Sequence, residues 1–149
     1  MKIIGILIVI VVFIFVTRLV MQNITIPSHL GHKDGLLAPM PDKPNAVSSQ
    51  TDIIDKRVDP LHYKADAEQT KHAVLNALAT MGSNEIQVQQ SHYIYSVFTT
   101  PKLHFHDDVE ILLDEQNQQV HFRSQSRAGH SDLGVNRQRY DQFKALYNR

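Results

Sequence analysis

The chain has 149 residues, with 15 Lys plus Arg against 15 Asp plus Glu, and no cysteine. This length predicts one domain with appendages. The balanced charge argues against a nucleic-acid binder, because such proteins usually carry a basic surplus. The lack of cysteine excludes disulfides, thiolate metal sites, a cysteine nucleophile and lipidation on cysteine.

The first segment is apolar on every face from residue 3 to residue 21, apart from Thr17 and Arg18. About 19 residues at ~1.5 Å each give ~28 Å, close to the ~30 Å hydrocarbon core of a bilayer. Arg18 lies near the far end, where its long stem can reach the interface. The pattern therefore predicts a transmembrane helix that contacts the membrane through residues 3–21.

A cleaved signal peptide is the alternative for this segment. It requires small residues in an A-x-A arrangement, and no alanine precedes Ala38. We therefore predict an uncleaved signal anchor over residues 1–22. Lys2 and the terminal amine favour a cytoplasmic amino terminus, which places the rest of the chain in the periplasm or another extracytoplasmic space.

The next region is polar and rich in proline. Residues 23–35 are predicted to form a tether, and residues 36–149 a single domain. The stretch "APMPDKPNAVSSQ" contains three prolines, which break helices and restrict the residues before them. This part of the chain is therefore expected to be extended or to lie as a loop on the domain.

A helix is predicted within "ADAEQTKHAVLNALATMG". Asp66 can cap its start, and Gly82 suits the position after its end. A second helix is predicted from about Leu133 to Tyr147, with Asp132 as its cap. Between the two helices, "EIQVQ" and "HYIYSVFT" have the alternation and the β-branched and aromatic residues of strands.

The stretch "DDVEILLDEQNQQVHFRSQS" predicts a β-hairpin with its turn at Gln116–Asn117. The numbers of opposite residues then sum to 233, which separates an apolar face from a polar face. Glu110 faces Arg123 on the polar face. Antiparallel strands with one apolar face and two amphipathic helices predict an α+β fold: a two-layer domain with a sheet of about four strands and two helices on one face.

Three motifs, "PDKPNAVSSQ", "HFHDDVEILLD" and "RSQSRAGHSDLGVNRQR", resemble the domain of unknown function 1499 family. These are small, mostly bacterial proteins that often begin with a membrane or lipid anchor. The resemblance runs from Leu36 to Leu146 and implies no particular chemistry. It departs from the family pattern at Ala46, where relatives commonly carry cysteine, so a mechanism that needs that thiol cannot operate here.

The motifs define a polar cluster that is predicted to meet at one junction between the last two strands and the final helix. Its members are Asp107, Asp108, Glu110, Arg123, Ser124, Ser126, Arg127, Ser131, Asp132, Asn136, Arg137 and Arg139. The loop residues that match the family pattern are Pro44, Asn45, Ser48 and Ser49. The preferred hypothesis is a structural network in which Glu110 pairs with Arg123 while Asp107 and Asp108 hold the arginines of the final helix.

Two functional hypotheses stay open beside the structural one. The guanidinium groups of the cluster could bind a small anionic ligand, although the nearby acids would neutralise much of their field. Alternatively, the three acids could serve a hydrolase as general acid or base, with Ser124 or Ser126 as nucleophile. Neither serine lies in a G-x-S-x-G motif, so enzyme activity is uncertain.

Metal binding is the weakest hypothesis. His104, His106 and Asp108 alternate on one strand with His121 on its neighbour, but histidines are common on a solvated strand face, and we predict no metal and no cofactor. The sequence thus predicts a membrane-tethered binding or accessory module with an unknown protein or a small anionic ligand as partner, and a hydrolase as the alternative.

Overall fold

The computed structural model describes residues 2–149; Met1, which the predicted anchor includes, lies outside them. The chain begins with α1 (Lys2–Ile24), a helix of 23 residues whose apolar window is not buried. Within residues 2–149 it is the one helix long and apolar enough to cross a membrane. This agrees with the predicted membrane segment.

Eight strands and two further α-helices follow α1, besides a short 3-10 helix at Ile54–Lys56. They are β1 (His32–Lys33), β2 (Leu36–Leu37), β3 (Ala46–Ser48), β4 (Leu61–His62), α2 (Ala67–Met81), β5 (Asn84–Gln89), β6 (Tyr93–Thr99), β7 (His106–Asp114), β8 (Gln119–Ser126) and α3 (Val135–Tyr147). Strands β1 and β2 form a separate hairpin. The other six form one antiparallel sheet in the order β3-β8-β7-β6-β5, and β4 also pairs with β8.

The α+β class is confirmed, but the sheet has six strands instead of about four. The two additional strands, β3 and β4, are three and two residues long and come from the region between the anchor and α2. Segments this short show no measurable alternation of apolar and polar residues, so periodicity could not reveal them.

The register of the β7–β8 hairpin is confirmed along its whole length. The pairs run from Asp107 opposite Ser126 to Asp114 opposite Gln119, and every pair sums to 233. Because alternate residues of a strand point to opposite sides, odd-numbered residues of β7 lie on one face of the sheet and even-numbered residues on the other.

Helices α2 and α3 cover the odd-numbered face, which we call the helix face. Asp66 caps α2 by accepting a hydrogen bond from the Gln69 N–H at 2.7 Å, as predicted. On α3, the Phe143 ring lies 5.2 Å from that of Phe122 on β8. Helix α3 begins at Val135, two residues later than expected, because the preceding Leu133 and Gly134 have left-handed backbones.

The opposite face, which we call the outer face, is covered by the chain that follows α1. Leu30 and Leu37 pack against an apolar patch of this face. The patch consists of Tyr93, Tyr95 and Leu112. The sheet thus has a proximal end, where α1 joins, and a distal end formed by the β7–β8 turn. At ~3.3 Å per residue, the nine residues of β7 separate these ends by ~30 Å.

Candidate functional site

The structure divides the predicted polar cluster between the two faces of the sheet. Asp107, Ser124 and Ser126 lie on the helix face, whereas Asp108, Glu110 and Arg123 lie on the outer face. The prediction of a single junction is therefore wrong, because neighbouring residues of a strand point in opposite directions. Two separate networks result.

The first ion pair of the outer face joins Arg123 to Glu110. Their side chains are fully buried, and Arg123 Nη1 donates to Glu110 Oε2 at 2.7 Å. The other carboxylate oxygen accepts from the Tyr93 hydroxyl and from the Gly31 N–H, both at 2.7 Å. Arg123 Nη2 donates to the side chain of Gln125. The pair thus forms hydrogen bonds with Tyr93, Gly31 and Gln125 in a site that is closed to solvent.

The second pair of the outer face joins Arg127 to Asp108. Arg127 donates through Nη2 at 2.8 Å and through Nε at 3.0 and 3.1 Å, a forked geometry that suits a carboxylate. The Tyr95 hydroxyl donates to the same carboxylate at 2.6 Å. Arg127 Nη1 also donates to the backbone carbonyl of Asn23 at 3.3 Å, so this pair connects the sheet to α1.

Both tyrosines of the outer face act as hydrogen-bond donors. Burial, followed by the neighbouring Glu110 carboxylate, raises the pKa of Tyr93 well above its usual range. Burial and the hydrogen bond to Asp108 do the same for the pKa of Tyr95. Both phenols therefore stay protonated at physiological pH and stabilise the carboxylates that they contact.

The ion pair of the helix face joins Arg139 of α3 to Asp107. Arg139 Nη2 lies 2.5 Å from Asp107 Oδ2, and its Nη1 donates to the Ser124 hydroxyl at 3.0 Å. The guanidinium carbon lies 4.9 Å above the centre of the Phe98 ring, within cation–π range. This pair holds the first half of α3 against the sheet.

Asn136, which is fully buried, connects α3 to β8 and to Asn45, the residue before β3. Its Nδ2 donates to the Asn45 carbonyl at 2.9 Å and to the Ser126 hydroxyl at 3.0 Å. Its Oδ1 accepts from the Ser124 hydroxyl at 2.5 Å and from Arg139 Nη1 at 2.6 Å. All four hydrogen-bonding positions of this amide are therefore used inside the protein.

The remaining residues of the last motif shape the start of α3. Asp132 accepts from the backbone N–H of Asn136 at 2.7 Å and of Gly134 at 3.2 Å, so it caps the helix from two residues before its N-cap. The Ser131 hydroxyl accepts from the Leu133 N–H at 3.3 Å. Arg137 lies apart from both networks and donates to two backbone carbonyls near residue 56.

The predicted loop contributes mainly to backbone hydrogen bonding. Asn45 is buried beside the end of β8, where its Nδ2 donates to the Ser126 carbonyl at 3.2 Å. The Ser48 hydroxyl accepts from the Gln50 N–H at 3.1 Å. Pro44 is exposed in the turn that precedes β3. This loop thus fastens β3 to β8 and to the helix-face network.

Ser49 forms a small polar group with His121. Its hydroxyl oxygen accepts from the Phe122 N–H at 3.0 Å and lies 3.2 Å from His121 Nδ1. Burial lowers the pKa of His121 below its usual range and outweighs the attraction of Asp114, whose carboxylate lies 3.7 Å from Nε2. The fold therefore favours the neutral imidazole, and Nδ1 accepts a hydrogen bond from the Ser49 hydroxyl in the tautomer that carries its proton on Nε2.

This neutral histidine predicts a pH dependence of stability. Below pH ~6.5 the unfolded chain takes up a proton at His121 that the folded chain resists, so the free energy of unfolding falls as the pH falls. The contribution of His121 is fully present above pH ~6.5, and its slope below that value is at most about 1.4 kcal/mol per pH unit. In His121→Gln this part of the slope is expected to disappear.

The measurement is urea unfolding of the full chain in detergent micelles at several pH values. The two proteins differ only at residue 121, so the difference between their slopes isolates His121. Identical slopes in the two proteins would show that His121 is not held neutral.

Sequence reasoning missed the two tyrosines and the backbone of Gly31, which complete the outer-face network. The tyrosines carried a detectable signal, because β6 is adjacent to β7 in the chain and Tyr95 pairs directly with Glu110. Gly31 carried none, since the segment that brings it over Glu110 has no periodicity.

The carboxylates and serine hydroxyls of the two networks are engaged in hydrogen bonds within the protein, so they are poorly placed to react with a substrate. The carboxylates of Asp107, Asp108 and Glu110 each accept hydrogen bonds from an arginine of their own. The hydroxyls of Ser124 and Ser126 are engaged by Asn136. Among residues 2–149, no group of three or more His, Asp or Glu side chains is placed to hold a metal ion.

An open cavity of about 680 Å³ lies between α2 and the end of α3, outside these networks. Two further open cavities also lie outside them. The larger, about 810 Å³, is a cleft at the distal end between the β1–β2 hairpin and the β7–β8 turn. The smaller, about 400 Å³, lies at the proximal end between α1 and the loop of residues 129–130. Neither is lined by a member of the predicted polar cluster.

Comparison with known proteins gives one match. A family model described as "Protein of unknown function (DUF1499)" matches residues 36–146. No curated protein and no solved structure matches the chain. The matched range includes the side chains of both networks and begins at β2, so α1 and the segment that follows it, with Asn23 and Gly31, lie outside the family region.

Proposed function

We propose that this chain, which belongs to the DUF1499 family of proteins of unknown function, is a single-pass membrane protein. It holds a binding or accessory module outside the cytoplasm. Helix α1 supplies the anchor, and the charge of Lys2 favours a cytoplasmic amino terminus. A reporter fused after Arg149 that is active only in the cytoplasm would contradict this orientation.

The observation that carries the proposal is the mutual pairing of the buried charges. An acid–base catalyst needs a carboxylate or imidazole within reach of substrate, and a nucleophile needs a neighbouring base. Here the three acids are each held by an arginine, with side chains at most 3% exposed. This arrangement supports a scaffold and leaves the hydrolase alternative, which relies on Asp107, Asp108 and Glu110, without a free carboxylate.

The distal cleft is the surface that we propose for a partner. It lies at the end of the sheet opposite α1, so it faces away from the anchor. Its lining combines exposed Leu36 with the rings of His32 and His92 and with polar groups of the β7–β8 turn. Acidic side chains at Asp34 and Glu115 disfavour an anion there, which makes a protein segment the better candidate.

Site-specific photo-crosslinking in cells tests this assignment. A crosslinker at Gln116, exposed on the β7–β8 turn, is expected to form a discrete adduct with another protein. The matched control is Gln138, which is exposed on α3 near the proximal end. An adduct from Gln138 but none from Gln116 would contradict the placement of the partner surface at the distal end.

A further inference from the structure

Helix α1 is fixed to the domain instead of hanging from a flexible linker. Asn23 donates through Nδ2 to the His104 carbonyl at 2.8 Å and accepts through Oδ1 from the His106 N–H at 2.7 Å. Arg127 adds its hydrogen bond to the Asn23 carbonyl. Leu19 is partly buried against the domain. The proximal end therefore has a defined position along the axis of α1.

This position brings the proximal end of the domain beside the part of α1 that is predicted to cross the bilayer. Lys43 and His130 line the same cavity as Phe15 and Gln22, so the domain reaches alongside the last turns of α1. From residue 3 to Phe15 the helix extends only ~20 Å at ~1.5 Å per residue, less than the ~30 Å hydrocarbon core. Spanning the core requires helix as far as Gln22, which places the flanking loops at the boundary between acyl chains and headgroups, where the long side chains of Arg18 and Lys43 can extend to the headgroup layer.

Apolar side chains project from these proximal loops. Leu133 is 90% exposed and has a left-handed backbone, with φ of 53°. That conformation is unfavourable for a non-glycine residue, and the exposed leucine side chain gains no packing in water. Leu103, in the turn before β7, is 71% exposed. Insertion into the headgroup and acyl boundary gives both side chains an apolar environment.

The cavity beside α1 has the chemistry of a phosphate site. Its basic groups are Arg18, Lys43 and His130, and no acid lines it. Guanidinium and ammonium groups suit phosphate. Phe15 and Leu19 supply an apolar wall on the side of the bilayer. An anionic head beside an apolar chain is the shape of a phospholipid.

Resting on the proposed anchoring of α1, we propose that the proximal end sits in the headgroup layer and that the crevice between Arg18, Lys43 and His130 binds the phosphate of a phospholipid. The domain is then seated on the bilayer surface, with its distal cleft presented at a fixed height above it.

The depth of the proximal end in the bilayer is tested by tryptophan fluorescence. Because the chain has no tryptophan, a single introduced indole gives an unambiguous signal. Leu133→Trp is compared with Leu36→Trp, an exposed leucine at the distal end, in full-length protein reconstituted into vesicles containing brominated lipid. Emission from position 133 is expected to be blue-shifted and strongly quenched, and emission from position 36 to be unaffected. Equal quenching, or none at position 133, would overturn the seating.

The vesicle experiment also separates the two proposals. Protein that fails to float with the vesicles contradicts the anchoring itself. Protein that floats but shows no quenching at position 133 contradicts only the seating of the proximal end.

The phosphate site is tested by melting the full chain in micelles with added phosphatidylglycerol. Bound lipid raises the melting temperature by mass action, and Arg18→Gln with Lys43→Gln is expected to weaken the apparent affinity about tenfold. Lys33→Gln, an exposed lysine at the distal end, is the control and should behave as wild type. An unchanged affinity in the double variant would overturn the site.

The same assay identifies the source of the phosphate. Inorganic phosphate at the same concentration is expected to give no shift, because it lacks the apolar chain that contacts Phe15 and Leu19. A shift equal to that produced by phosphatidylglycerol would overturn a lipid as the occupant.

Discussion

Replacing Arg123 with alanine is expected to lower the free energy of unfolding by about 3–5 kcal/mol, because the change leaves a fully buried Glu110 carboxylate without its counter-charge. The hydrogen bonds from Tyr93 and Gly31 remain but carry no net charge. The measurement is urea unfolding of the full chain in micelles, followed by near-ultraviolet circular dichroism of the tyrosines.

A matched pair of variants sharpens this result. Arg149→Ala, at an exposed position, is expected to change the free energy of unfolding by less than about 0.5 kcal/mol. The double variant Arg123→Met with Glu110→Leu should recover most of the loss, because it removes both charges together. Arg123 Nε is buried without a partner, so the native pair itself bears a desolvation cost. Near-native stability of Arg123→Ala would contradict the structural role.

Asp107→Asn is expected to lower the free energy of unfolding by about 2–3 kcal/mol, since it removes the negative partner of Arg139 while keeping the shape of the side chain. Arg139 is 8% exposed and keeps only neutral acceptors on Ser124 and Asn136. The same unfolding assay measures the loss. Asp141→Asn, on the exposed side of α3, is the control and should have little effect.

This substitution also separates a scaffold from a catalyst. A scaffold loses stability in proportion to the broken pair, and any loss of cellular function follows the loss of folded protein. If Asp107→Asn instead folds with native stability and abolishes function, Asp107 acts in chemistry, and the hydrolase alternative gains its main support.

The β7–β8 hairpin shows how much the sequence could predict. Its register followed from the clean separation of apolar and polar pairs, because a slip of one residue would have mixed the faces. The same alternation already separates Asp107 from Asp108. The prediction of one junction is wrong because it groups residues that are close in sequence, whereas the period of the strand places neighbouring residues on opposite faces.

Other features carried no such signal. Strands β3 and β4 exist because β8 offers an edge to pair with, and that is a property of the assembled sheet. The cover over the outer face depends on single contacts, such as the Gly31 N–H on Glu110, that no periodic pattern encodes. The proximal crevice requires the fixed angle of α1. Asn23 sets this angle through contacts with His104 and His106, which are 81 and 83 positions away along the chain.

The division of the polar residues into two independent networks is tested most directly by a double-mutant cycle between Arg123 and Arg139, on opposite faces of the sheet. Using Arg123→Lys and Arg139→Lys, urea unfolding of the full chain in micelles gives the free energy that couples the two sites. Independent networks predict losses that add to within about 0.5 kcal/mol. A coupling of about 1 kcal/mol or more would show that the two arginines act as one unit and would contradict the account.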